Sequence, residues 1–288
     1  MLDLGQQMAD KGFWSQNEVR AIKAWIRDLK HIGYQPPLII DKQRSMKVLN
    51  TYPANKTAIC ITGQLDRISI AWPPTQKTLL ESVFGNDTNN YDLFYYVSTF
   101  NSKKDADENF LKTHLQPAYG ILYHDPPLNP NVSTNYFDLR EGFTPNNLFQ
   151  QLYGLKRCYE MVMKHSQEFN ITYKYFMRMR TDHKLEISNR LIQIVWDVVK
   201  KENKVVIPYD ASQLDRYFQP KLINNGKECD RFAIGPIDKM KYYMMRYDNM
   251  NMKGLKSLHA ETFLYFTLNH YNVTYYRILL FPIYYYEV

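Results

Sequence analysis

Tyr173-Lys174-Tyr175-Phe176-Met177-Arg178-Met179-Arg180-Thr181-Asp182-His183-Lys184-Leu185-Glu186 is the stretch on which the fold turns. Tyr173, Tyr175, Met177 and Met179 alternate with Lys174, Phe176, Arg178 and Arg180, the period of a β-strand. A strand over 173–180 therefore puts the methionines on one face and both arginines on the other. Burying unpaired charge is costly, so two arginines on one face of a central strand ask for an anionic partner. Asp182 follows at the carboxyl end with the parity of Arg180. A carboxylate there suits a hard divalent cation bridging phosphates, and arginine forks suit the phosphates themselves. The same residues also allow an internal Arg–Asp salt bridge that orders the turn. His183 is a possible second ligand or an ordinary residue beside a loop.

Outward from that strand, short apolar runs alternate with helical segments from residue 57 onward, as in a mostly parallel sheet with crossover helices. Strands are expected at 57–62, 92–98, 119–123, 173–180, 204–207, 231–235 and 274–281. Helices are expected near 75–84, 146–168, 189–201, 236–247 and 259–270. Thr144 and Pro145 mark the start of the 146–168 helix, and Leu148, Leu152, Leu155, Tyr159 and Val162 form its apolar stripe. Gln150, Gln151, Lys156 and Arg157 lie on its other face, facing either water or a ligand. The segment 124–145, rich in Pro and Asn, is expected to form a loop over the site. Before all this, residues 15–32 form an expected helix opened by the Ser15/Glu18 capping box and stopped at Gly33. The domain division is thus a helical arm over 1–50 and an α/β domain over 51–288.

Two further constellations carry candidate chemistry. In Ile59-Cys60-Ile61-Thr62-Gly63-Gln64-Leu65-Asp66-Arg67 an apolar strand runs into a small-residue turn with a cation beyond it. Ligands of open α/β sheets bind at the carboxyl ends of strands, and Gly63 allows close backbone approach there. Arg67 would then meet a diphosphate, or simply point into water. The stretch has neither the glycine pattern of dinucleotide folds nor a P-loop. Downstream, Asp230-Arg231-Phe232-Ala233-Ile234-Gly235-Pro236 enters a short strand, and Leu258-His259-Ala260-Glu261 opens a helix. Glu261 suits the first turn through the helix dipole alone, and it also suits a general base acting on an acceptor hydroxyl.

Composition narrows the field. The chain has 288 residues with a formal charge of +7, which favours phosphate-bearing ligands, but its basic residues form no block of the kind that binds nucleic acid. No run approaches a membrane span and no secretory leader is evident. Three cysteines, Cys60, Cys158 and Cys229, form no CxxC pair, from which a reducing compartment and a cytoplasmic location are expected. The alternative is a Golgi enzyme trimmed of its anchor, in keeping with five Asn-x-Ser/Thr sequons.

The order Thr62-Gly63-Gln64-Leu65, Tyr91-Asp92-Leu93-Phe94, Arg178-Met179-Arg180-Thr181-Asp182, Asp230-Arg231-Phe232-Ala233-Ile234-Gly235 and His259-Ala260-Glu261 resembles GT-A glycosyltransferases. It is most similar to the group with an Arg-Ser/Thr-Asp motif found in lipopolysaccharide synthesis and in large DNA viruses of algae, over residues 57–270. The resemblance implies a GT-A-like, Rossmann-like α/β fold and a nucleotide-sugar donor, with a UDP-sugar favoured over a GDP-sugar. It also implies Mn²⁺ or Mg²⁺ held partly by Asp182, and a glycan acceptor. It places Thr62, Gly63, Gln64 and Arg67 around the nucleotide, Arg178 or Arg180 near phosphate, and Asp230, His259 and Glu261 around the acceptor. The usual Asp-x-Asp is reduced here to Thr181-Asp182-His183-Lys184. A non-catalytic carbohydrate- or nucleotide-binding protein of the same fold is the alternative function.

Overall fold

The computed structural model describes residues 38–40, 56–65, 68–76, 84, 90–99, 105–115, 119–123, 145–186, 189–208, 230–252, 259–278 and 281–284. The chain divides into two compact units, Met1–Leu38 and Ile39–Val288. The expected 15–32 helix and 1–50 arm lie outside the described residues, apart from a short strand β1 (Leu38–Ile40). The 124–145 loop lies outside them too, but for its last residue.

The second unit alternates strands and helices as its apolar runs require. The strands are β2 (Lys56–Gln64), β3 (Tyr91–Ser98), β4 (Tyr119–Tyr123), β5 (Tyr173–Arg180), β6 (His183–Glu186), β7 (Val205–Pro208), β8 (Ala233–Pro236), β9 (Tyr275–Ile278) and β10 (Phe281–Tyr284). The helices are α1 (Ile68–Thr75), α2 (Asp105–His114), α3 (Pro145–Phe169), α4 (Asn189–Lys201), α5 (Ile237–Met244) and α6 (Ala260–His270), with a 3-10 turn at Met245–Asn249. Seven strands of the large sheet run in the order β4-β3-β2-β5-β8-β7-β9. β2 pairs in parallel with both β3 and β5, while β8 runs antiparallel between β5 and β7. The result is a mostly parallel mixed sheet flanked by helices, the α/β class expected and consistent with a GT-A-like domain.

Strand alternation divides the core into two layers. On one face Ala58, Cys60, Phe94, Tyr96 and Phe176 pack with α3, α5 and α6 through Leu152, Leu155, Val162, Tyr243, Phe263 and Leu264. On the other, Ile59, Ile61, Tyr95, Val97, Met177 and Met179 pack with α1, α2 and α4 through Trp72, Leu111, Val195 and Trp196. The methionines and arginines of β5 separate as their parity requires. Each fully buried Leu, Ile or Met side chain contributes about 1.5–3 kcal/mol. A buried pair of charges anchors the amino ends of the strands: Lys56 Nζ meets Asp92 Oδ2 at 2.7 Å, and the Tyr173 hydroxyl donates to the same oxygen at 2.5 Å.

Several expectations are corrected. α1, which ends at Thr75 and holds Pro73 and Pro74 in its last turn, is a helix the sequence reading does not contain; the expected 75–84 helix falls mostly on residues 77–83, outside the described residues, and Phe84 at its end is helical. α2 and β6 have no counterpart in the sequence reading. The expected 274–281 strand is two strands in different sheets, since β10 pairs with β6 and not with β7. The cysteines also differ from expectation. Cys60 on β2 and Cys158 on α3, both fully buried, form a disulfide across 98 residues, with Cα atoms 6.3 Å apart. Disulfides persist in oxidising compartments, so the argument for a reducing one loses its basis. Cys229 lies outside the described residues. No described helix is long and apolar enough to cross a membrane.

Candidate functional site

β2 and β5 are adjacent parallel strands, so their carboxyl ends deliver Thr62-Gly63-Gln64 and Arg180-Thr181-Asp182 side by side. Thr62 stands opposite Arg180 in the register, and the Thr181 N–H donates to the Thr62 carbonyl at 3.3 Å. Gly63 has φ +136°, and a Cβ there would lie 2.7 Å from Thr181 Oγ1. Any side chain at this position would be strained by the backbone and would collide with the threonine. Thr62 and Thr181 are buried, and neither hydroxyl has a hydrogen-bond partner. Gln64 is exposed at the strand end. Arg67 lies outside the described residues.

Beyond the turn, the Arg180 fork grips Asp182: Nε donates to Oδ1 at 2.8 Å and Nη2 to Oδ2 at 2.7 Å. His183 Nδ1 lies 2.8 Å from Asp182 Oδ1, and because a carboxylate only accepts, that nitrogen carries the ring proton. Burial opposes the charge on Asp182, but Arg180 and then His183 outweigh it and hold the carboxyl well below its usual range. Burial also pushes the His183 imidazolium down, offset in part by the Asp182 hydrogen bond, so the ring is neutral at physiological pH. The internal Arg–Asp pair anticipated from the sequence is thus formed. Arg180 and Asp182 stay about 30% exposed, at 28% and 32%.

Asp230 forms the second centre. It is buried, accepts from Gln151 Nε2 of α3, and its carbonyl accepts from Arg178 Nη1 and from the Tyr243 hydroxyl at 2.8 Å. Arg246 Nη2 lies 4.0 Å from its carboxylate. Burial raises its affinity for a proton, yet Arg178, Arg246, Arg180 and Arg231 together hold the carboxyl below its usual range. Arg180 and Arg231 also bear on His183, so the Asp182 and Asp230 centres share one electrostatic field. Arg178, only 1% exposed, serves Asp230 and not the turn. Glu261 occupies the first turn of α6, which His259 precedes with extended backbone, φ −99° and ψ 138°. The link from Asp230 to that helix runs through Arg246, whose Nη1 donates to the Ala260 carbonyl at 3.0 Å.

Sequence reasoning missed Arg246, Tyr243 and the Thr181 hydroxyl, and it left Gln151 undecided between water and ligand. A separate cleft of about 150 Å³ between α3 and β4, lined in part by Tyr119, Arg157, Met161 and His165, contains none of these residues.

No protein-family model matches the sequence, and no curated protein matches it. Among solved structures, the fold is similar to that of a glycosyltransferase involved in the glycosylation of the major capsid of PBCV-1. Identity is 9%, over 77% of this chain and 81% of that one, with a TM-score of 0.38. It is also similar to apo mouse xyloside xylosyltransferase 1, with 7% identity over 78% and 85% of the two chains and a TM-score of 0.40. Likenesses this distant transfer no substrate and no residue role, which must come from the site itself.

The site carries a pH prediction. A carboxyl whose folded pKa is depressed adds stability above its ordinary range, and that stability is lost as pH falls through the range. His183, also depressed, favours the folded state while neutral and begins to oppose it below about pH 6.5. Thermal unfolding from pH 7 down to pH 3 is therefore expected to show a shallow loss near the histidine range and a steeper one below about pH 4. In Asp182→Asn the steeper limb flattens. An unchanged acid limb in that variant would remove Asp182 from the account.

Proposed function

We propose that this chain is a nucleotide-sugar-dependent glycosyltransferase that moves a sugar from a UDP- or GDP-sugar, UDP favoured, to a glycan hydroxyl. One observation carries the reading: at the carboxyl ends of β2 and β5, a glycine that tolerates no side chain and two unpartnered threonine hydroxyls lie next to a partly exposed Arg180–Asp182 pair. Such a turn admits a nucleotide against the backbone, and the adjacent fork offers charge-assisted bonds to phosphate. Thr62, Gly63 and Gln64 frame the nucleotide in this reading, with Arg67 beyond them. Arg180, the more accessible arginine, meets the diphosphate, while Arg178 stays with Asp230.

Among the described residues, no group of three or more His, Cys, Asp or Glu side chains could hold a metal. A single ionised carboxylate nevertheless fits Mg²⁺ or Mn²⁺ of the kind that relies on substrate phosphates and water for its remaining ligands. Asp182 would be that carboxylate, and a bound ion would neutralise charge on the departing diphosphate. Glu261 acts as general base: it takes the acceptor hydroxyl proton as that oxygen bonds to the anomeric carbon and the sugar's bond to the diphosphate breaks, with inversion. His259 flanks it on the acceptor side. The second reading, a binding protein without turnover, is favoured by the engagement of both Asp182 oxygens with Arg180.

A thermal-shift panel of UDP- and GDP-sugars, each with and without Mn²⁺, tests the donor class, because a ligand bound by the native state raises its melting temperature by mass action. A UDP-sugar at 100 times its Kd is expected to add about 2.7 kcal/mol of stability. No shift with any nucleotide sugar would reject the reading.

A further inference from the structure

Arg246 is fully buried in the 3-10 turn after α5, and its guanidinium touches three separate parts of the chain. Nε donates to the Tyr243 carbonyl at 2.9 Å, and the group lies 4.7 Å from the centroid of the Tyr243 ring. Nη1 donates to the Ala260 carbonyl at 3.0 Å, in the first turn of α6 and one residue before Glu261. Nη2 has no hydrogen-bond partner and points toward the Asp230 carboxylate at 4.0 Å. Asp230 is in turn fixed from α3 by Gln151, from β5 by Arg178 and from α5 by Tyr243.

This is a poor device for stability alone. Removing a guanidinium from water costs several kcal/mol, and a 4.0 Å ion pair with an unsatisfied N–H recovers less than a well-formed one; apolar replacements of such pairs are often neutral or stabilising. What the arrangement does supply is position. The Asp230 centre is held by the sheet and α3, and Arg246 transmits that fixed point to the start of the helix that bears Glu261.

We propose that Arg246 is a positioning residue that sets the first turn of α6, and with it Glu261, against the Asp230 centre. The role assigned to Glu261 rests on the glycosyltransferase reading; the clamp itself does not. In the same inference Asp230 is the anchor of the clamp and not a second base, since it is buried among arginines and already accepts from Gln151.

The test uses the full chain and the variants Arg246→Met, which keeps bulk, and Arg246→Lys, which keeps charge but loses the fork. Amide hydrogen exchange at residues 260–264 is the first readout, with the amides of α3 as an internal reference. At least a tenfold rise confined to the start of α6 is expected in Arg246→Met. The second readout is nucleotide release from the donor picked out by the thermal panel, where displacement of the base is expected to lower turnover by about 10²-fold with donor affinity nearly unchanged. The Arg246→Met/Glu261→Gln double variant is expected to be no slower than Glu261→Gln alone, because a residue that acts through the base has nothing left to position. Unaltered exchange at α6 in a folded variant would overturn the clamp whatever the activity. Altered exchange with additive losses in the double variant would overturn its action through Glu261. If the wild type releases no nucleotide from any UDP- or GDP-sugar of the thermal panel, the glycosyltransferase reading fails on that result, and hydrogen exchange still decides the clamp.

Discussion

Glu261→Gln is expected to lower turnover by about 10²–10⁴-fold while changing donor affinity by less than a few fold. Gln keeps the shape of the side chain and its place in the first turn of α6, and it removes the group that takes the acceptor proton. A residue needed only for helix geometry would leave turnover near that of the wild type, since exchanging Glu for Gln near a helix start costs about 0.3–1 kcal/mol of dipole interaction and leaves chemistry alone. Steady-state kinetics with the donor picked out by the thermal panel, alongside calorimetric donor titration, separates the two. Turnover within a few fold of wild type would reduce Glu261 to a helix-start residue. Asp230 would be a weak replacement, because four arginines stabilise its anionic form and so lower its basicity.

Reduction of the Cys60–Cys158 disulfide is expected to destabilise the domain by about 4–5 kcal/mol, the loss of loop-closure constraint for a loop near 100 residues. For a chain of this size that corresponds to a melting temperature roughly 10 °C lower. The bond ties β2, two residues before Thr62, to α3, seven residues after Gln151, so loosening it reaches both halves of the site. Scanning calorimetry with and without reductant measures the effect. A thiol count in denaturant provides the control: one reactive thiol, from Cys229, is expected without reductant, and three would show that the bond does not form.

The elements legible in the sequence are those whose signals are local. Strands 119–123 and 173–180 are expected with the bounds observed, the second from the period-2 placement of Tyr173, Tyr175, Met177 and Met179 against Lys174, Arg178 and Arg180. α3 follows from its start signal and apolar spacing over several turns, and the expected 189–201 helix is α4 with the same bounds. Three helices also end where an asparagine adopts positive φ, at Asn170, Asn203 and Asn272, a stop signal that the sequence carried openly. α1 escaped because Pro73-Pro74 reads as a breaker, although its last turn accommodates both. α2 escaped because its sequence Asp-Ala-Asp-Glu-Asn-Phe-Leu-Lys-Thr-His has too few apolar residues to declare a face. β6 and β10 are four residues each and owe their existence to one another.

The site divides in the same way. Gly63, Arg180 and Asp182 were legible because a strand end concentrates them within one or two residues of a turn. The partners of Asp230 were not, because Gln151 and Arg246 reach it from elements 79 and 16 residues away. One hint existed: Arg246 interrupts the run Tyr242-Tyr243-Met244-Met245-Arg246-Tyr247, and a lone cation among aromatic and methionine side chains needs a buried acceptor. The disulfide left no local trace at all.

Calorimetric titration of a UDP-sugar into the wild type and into Asp182→Ala, each with and without Mn²⁺, tests most directly whether the carboxyl ends of β2 and β5 bind a nucleotide-sugar donor through Asp182. Wild type is expected to bind more tightly with Mn²⁺ than without it. In Asp182→Ala the affinity is expected to fall and the dependence on Mn²⁺ to vanish. Equal, metal-independent affinity in both proteins, or no binding to the wild type, would contradict it.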